Sequence, residues 1–165
     1  MNFRKAIFLF AIFIILVPHI SDGDFWLHLR MGELMVEDGI FPRTDVLSFT
    51  NEGKEWINHE WLPQIIFYSL FKYGGFVSIS LFVALIGTVV FTLVLIGKKL
   101  TWFSLSFLLL IAYSLKPFIL PRPQVFAYLM LLSLMLTIEW YYRTNNKKII
   151  FIFLMKCLIW LKITK

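Results

Sequence analysis

The chain has 165 residues, of which 59% are hydrophobic and 18% aromatic, with a mean hydropathy of +0.79. Values this high exclude an ordinary soluble domain and point to an integral membrane protein. The net charge of +6 does not imply a nucleic-acid partner, because the basic residues stand in small groups at the ends of apolar runs and not along one face, and the single cysteine, Cys157, excludes an internal disulfide framework or a cysteine-based metal site.

In chain order, the first apolar run covers residues 6–20 behind Arg4 and Lys5. The sequence VPHISDGD that follows offers no small-x-small cleavage site, so the run reads as an uncleaved anchor. A long loop, 21–75, comes next, and loops of this length carry function or structure of their own. Within it, Phe25 to Val36 has helical spacing and stops at EDG, FPRTD reads as a turn, and LSFTNEGKEWI reads as two short strands joined at Asn51 to Lys54. EWLPQIIFYSLFKYGG then places Gln64, Tyr68 and Lys72 at spacing four on an otherwise apolar helix. That pattern suits a helix lying in the membrane interface and ended by Gly74 and Gly75. Four more apolar runs follow at 76–97, 101–115, 124–142 and 149–161. A bilayer asks for about 20 residues per helix, so the second and fourth of these are short. Lys156 interrupts the last run and carries a cost there unless it snorkels or finds a partner.

Taken in order, these spans put Arg4 and Lys5, Lys98 and Lys99, and Arg143, Lys147 and Lys148 on one side of the membrane. The positive-inside rule makes that side the cytoplasm. The expected protein is all-α and polytopic in the cell membrane, with a cytoplasmic N-terminus and residues 21–75 extracytoplasmic. Nine of the ten acidic residues lie between Asp22 and Glu60, and only Glu139 lies elsewhere. The carboxylate chemistry is therefore concentrated in one external loop.

The residues DGDFWLHLRMGE, FPRTDVLSFT and NHEWL, with LPRPQVFAYLMLL further on, resemble bacterial membrane proteins of the GT-C glycosyltransferase superfamily. The matching positions include Trp26, His28, Leu29, Gly32, Glu33, Pro42 to Asp45, Ser48 to Thr50 and His59 to Leu62, and they span roughly residues 20–135. The resemblance implies GT-C-like transmembrane helices and sugar transfer, on the outer face of the membrane, from a polyprenyl-phosphate-linked donor to an acceptor. It also implies an acidic residue of the first loop as base, since an acceptor hydroxyl loses its proton as it attacks the anomeric carbon. Partial desolvation would raise the pKa of such a carboxylate.

Asp24 is the expected base, one helical turn from His28, with Asp22 and Glu60 as further catalytic candidates. SDGD is equally a good helix N-cap, and Glu60 near Pro63 could simply start a helix. His28, His59, Arg122 and Trp61 are the expected substrate contacts. Arg122 has no acid near it in sequence, and its fork suits a lipid phosphate or headgroup. Tryptophans such as Trp26 and Trp61 also serve as interfacial anchors. The residues name no particular cofactor, and a divalent cation held by His28, Asp22, Asp24, His59 and Glu60 is a lesser alternative. The expected partners are the polyprenyl-phosphate donor and membrane lipids, together with a partner subunit or a C-terminal part, because the chain looks like the N-terminal portion of a longer GT-C protein and is expected to be inactive alone. The competing class is a non-enzymatic membrane subunit that keeps the loop as a binding surface.

Overall fold

The structure, a computed structural model, describes residues 3–20, 22–95, 101–146 and 148–163, with side chains as far as Lys156 in the last segment. Ser21, Lys98, Lys99 and Lys147, which figure in the loop boundary and the charge pattern, lie outside the described residues. The elements are α1 (Phe3–Leu16), α2 (Gly23–Val36), α3 (Trp61–Val94), α4 (Trp102–Leu115), a 3-10 turn (Lys116–Phe118), α5 (Gln124–Thr144) and α6 (Lys148–Ile163). No strand occurs among the described residues. The two strands expected at LSFTNEGKEWI are replaced by turns and one isolated bridge between Thr44 and Glu55. Asp45 explains the difference: its carboxylate accepts from the N–H groups of Leu47 (3.0 Å) and Ser48 (2.8 Å), diverting the backbone into a turn where a ladder would need those donors.

Helix ends follow local chemistry. Asp22 caps α2, accepting from the Asp24 N–H at 3.3 Å, and Thr101 caps α4, accepting from the Ser104 N–H at 3.2 Å. The first apolar run is helical only to Leu16, because Pro18 disfavours helical geometry before it and contributes no N–H. Asn145 ends α5 in the left-handed region, φ 48°, with its N–H on the Tyr141 carbonyl at 2.8 Å.

The paired glycines break the helix as expected, at a kink where two helical segments of α3 meet. Helix α3 continues from Trp61 to Val94 through Gly75, whose φ of 63° and ψ of −158° are open to glycine and strained for other residues. The kink frees backbone carbonyls, and the Ser78 hydroxyl donates to two of them, Leu70 O at 2.6 Å and Gly75 O at 2.8 Å.

The second half of α3 is the spine of the molecule. On one side Phe8, Ile12 and Leu16 of α1 pack with Ala84 and Phe91 of α3 and Leu105 and Ala112 of α4; on the other, Phe25 and Leu29 of α2 pack with Phe67, Ile79, Val83 and Val125. Among the described residues two helices, α3 and α5, are long and apolar enough to cross a membrane. Large apolar side chains such as Phe103, Leu131, Met135 and Phe151 are exposed, an arrangement that water would penalise and hydrocarbon would not.

Candidate functional site

The start of α2 and the start of α5 meet through charge. The Arg122 guanidinium grips Asp22 with two donors, Nη2 to Oδ1 at 2.6 Å and Nε to Oδ2, and Nη2 also lies 3.2 Å from a carboxylate oxygen of Asp24. This bidentate geometry is the strong form of the interaction. The prolines place the arginine: Pro121 and Pro123 flank it in a tight turn whose Arg122 carbonyl accepts the Val125 N–H at 3.1 Å, opening α5.

The two carboxylates are not equivalent. Asp22 has a side chain only 12% exposed; the Arg122 hydrogen bond, opposed by burial and aided by the Asp24 backbone N–H, holds its pKa below the usual value of 3.8. The expectation that desolvation raises a carboxylate here therefore fails for Asp22, because the guanidinium outweighs it. Asp22 is the helix cap and the partner of an arginine. Asp24 is 65% exposed and makes one contact to Arg122. The cluster sets two carboxylates against one guanidinium.

Arg122 is also corrected. Acids absent from its sequence neighbourhood are present in space, and Asp22 occupies the Nε and Nη2 edge of its fork, the edge a phosphate would take bidentately. Nη1 is left without a protein hydrogen bond among the described residues.

Behind this cluster lies a polar seam between α2 and α3. His28 is 7% exposed, with Nδ1 at 3.5 Å from a Glu60 carboxylate oxygen and 3.4 Å from Gln64 Nε2. Gln64 is fully buried and accepts from Asn58 Nδ2 at 2.7 Å. Burial lowers the His28 pKa, with Glu60, Asp24 and Asp22 opposing that shift and Arg122 adding to it. Further along, Tyr68 donates to Glu37 at 2.9 Å and Lys72 pairs with the same carboxylate at 2.8 Å. The spacing-four stripe of Gln64, Tyr68 and Lys72 thus faces α2 and its end, where the sequence reading had it facing headgroups. Gly32 allows this contact, since a Cβ there would stand 2.2 Å from the Gln64 carbonyl oxygen.

The structure therefore gathers Asp22, Asp24 and Arg122, with His28 and Glu60 adjoining through the seam. Glu60 starts α3 without a side-chain cap, its carboxylate turned to His28. His59 is exposed, and Trp61 packs edge-on against Phe41 at 5.9 Å between ring centres, within the loop. The cation site drawn from Asp22, Asp24, His28, His59 and Glu60 is not assembled: among the described residues no three His, Cys, Asp or Glu side chains come together to hold a metal ion. Asn58 carries no signal in the sequence, and Gln64 shows there only as a polar side chain on an apolar helix face, without its partner across the fold.

One turn beyond Arg122, an apolar cavity of about 400 Å³ opens between α3, the 3-10 turn and α5. Ile86, Gly87, Phe91, Ile119, Val125 and Tyr128 are among its walls. Compared with protein-family models, curated proteins and solved structures, the chain matches none.

Proposed function

We propose that the chain is a GT-C-like polytopic membrane protein whose external loop serves sugar transfer from a polyprenyl-phosphate-linked donor to an acceptor at the outer face of the membrane. The observation that carries this reading is the accessible Asp24 carboxylate beside Arg122, which stands three residues before Val125 in the wall of an apolar cavity that would take the first isoprene units. Asp24 accepts the proton of the acceptor hydroxyl, and the geometry of the lipid tail holds the anomeric carbon near it. Arg122 positions both carboxylates and offers Nη1 to a phosphate oxygen. His28 and Glu60 fix the first turns of α2 against α3 and keep Asp24 aimed.

Sugar transfer from a labelled polyprenyl-phosphate donor, assayed in membranes that contain the chain with its partner or remaining domains, tests this. Asp24→Asn keeps the shape and should lower turnover by about a hundredfold or more, as loss of a general base does. Normal turnover in that variant would reject the assignment.

A second reading, a non-enzymatic subunit that keeps the loop as a binding surface, draws on Asp22, which caps α2 and staples it to α5 at once. Under that reading the Asp24→Asn chain assembles and functions normally.

A further inference from the structure

Lys156 lies eight residues into the apolar helix α6, about 12 Å from its start at the helical rise. Its ammonium does not extend past the end of α5. Nζ donates instead to the Thr137 hydroxyl at 2.7 Å and the Ser133 carbonyl at 3.1 Å. Both acceptors are neutral and already in use: Thr137 is 5% exposed and donates its own proton to the same Ser133 carbonyl at 2.7 Å. Among the described residues no carboxylate forms an ion pair with Lys156, and the nearest acid along α5, Glu139, pairs with Arg143 at 2.5 Å. The half-buried amine thus has two neutral acceptors and, among the described residues, no counter-ion, an arrangement that is costly in hydrocarbon for a charged lysine.

The surface around it is shaped to receive a neighbour. A groove of about 280 Å³ between α5 and α6 has Thr137, the acceptor of the lysine, in its wall together with Tyr141, Ile149 and Phe153. Ile152 and Met155, next to Lys156 on α6, are exposed. We propose that this groove docks a transmembrane helix of a partner protein carrying an Asp or Glu at the depth of Thr137, whose carboxylate completes the coordination of Lys156. Charge complementarity selects that partner over an apolar helix: a carboxylate supplies the missing counter-charge, whereas a purely apolar face leaves the ammonium as it stands. This inference concerns the opposite end of α5 from Arg122 and is independent of the sugar-transfer reading.

The test uses the full chain in phosphatidylcholine vesicles at pH 8, labelled with a donor fluorophore through Asn145→Cys in a Cys157→Ser background. Acceptor-labelled poly-leucine transmembrane peptides carry a single central Glu or, as control, Gln. Energy transfer should report association with the Glu peptide about tenfold tighter than with the Gln peptide. Lys156→Gln should reduce the Glu peptide to the Gln level, and Lys156→Arg should restore most of the difference by keeping the charge. Equal transfer for the two peptides, or a Glu preference that survives Lys156→Gln, would overturn the proposal. Circular dichroism of Lys156→Gln separates loss of the site from loss of α6, and retention of binding in Lys156→Arg guards against that second cause.

Discussion

Arg122 and Asp22, 100 positions apart in sequence, form a two-point ion pair that ties the first turn of α2 to the first turn of α5. The aspartate does two jobs, and substitution can separate them. Asparagine caps a helix as well as aspartate does, so Asp22→Asn removes the charge alone, while Asp22→Ala removes cap and charge together. Unfolding in detergent should show Asp22→Asn costing about 1.5–3 kcal/mol, the range for hydrogen bonds to charged groups, and Asp22→Ala about 1 kcal/mol more. Equal losses would mean that the cap contributes nothing.

Packing of α2 on α3 depends on one absent methyl group. A Cβ on Gly32 would meet both the Gln64 carbonyl oxygen and, at 2.7 Å, the Tyr68 Cβ, whereas a Cβ on Gly23 meets nothing within 4 Å. Gly32→Ala should therefore destabilise the protein by about 1–3 kcal/mol through overpacking, and Gly23→Ala should leave it unchanged or slightly more stable. Thermal melts of the two variants check the contrast, and a harmless Gly32→Ala would mean that the two helices sit further apart.

Acid should loosen the same interface in two stages. Burial lowers the His28 pKa from 6.5, so the unfolded chain binds a proton before the folded one does; the stability this gives is complete above about pH 6.5 and falls as pH drops toward the folded pKa. Asp22, held below 3.8 by Arg122, contributes stability above its unfolded pKa and loses it at lower pH. Unfolding measured between pH 8 and pH 5 should report the histidine stage, and His28→Gln should flatten it. An unchanged slope in that variant would assign the transition elsewhere.

Much of this architecture was legible because its causes are local. The helix of α2 shows in its apolar spacing and in the Asp22 cap, and the break at Gly75 shows in a glycine pair within a helical pattern. The rest depends on what lies across the fold. Nothing near Arg122 in sequence announces Asp22, and spacing four on α3 reveals a polar face without revealing whether water, headgroups or α2 lies against it. The turn at Asp45 won over the expected strands because one carboxylate captured two backbone donors, a competition that alternating hydrophobicity does not show. Lys156 was visible as a problem, and only the packing of α6 on α5 supplied Thr137 as its partial answer.

The orientation proposed from the charge pattern can be measured. Cysteines placed singly at Asn51, in the loop, and at Asn145, after α5, in a Cys157→Ser background should react oppositely with a membrane-impermeant thiol reagent on intact cells. Position 51 should label and position 145 should not, if Arg143 and Lys148 mark the cytoplasmic side as proposed. The reverse pattern would place the acidic loop inside the cell and remove the proposed lipid-linked donor from its reach.

The central claim is that a polyprenyl phosphate lies with its head near Arg122 and its tail in the cavity one turn below. Photo-crosslinking addresses it without knowledge of the sugar or the acceptor. A polyprenyl phosphate with a diazirine in its first isoprene units, irradiated with the full chain in nanodiscs, should label the cavity wall, at Ile86, Val90, Phe91, Val125 and Tyr128. Excess unlabelled polyprenyl phosphate should suppress that labelling, and polyprenol lacking the phosphate should compete at least about tenfold less well, as expected for the loss of a charge-assisted contact. Labels confined to exposed faces such as Phe103, Leu131 and Phe151, or equal competition by the alcohol, would contradict the account.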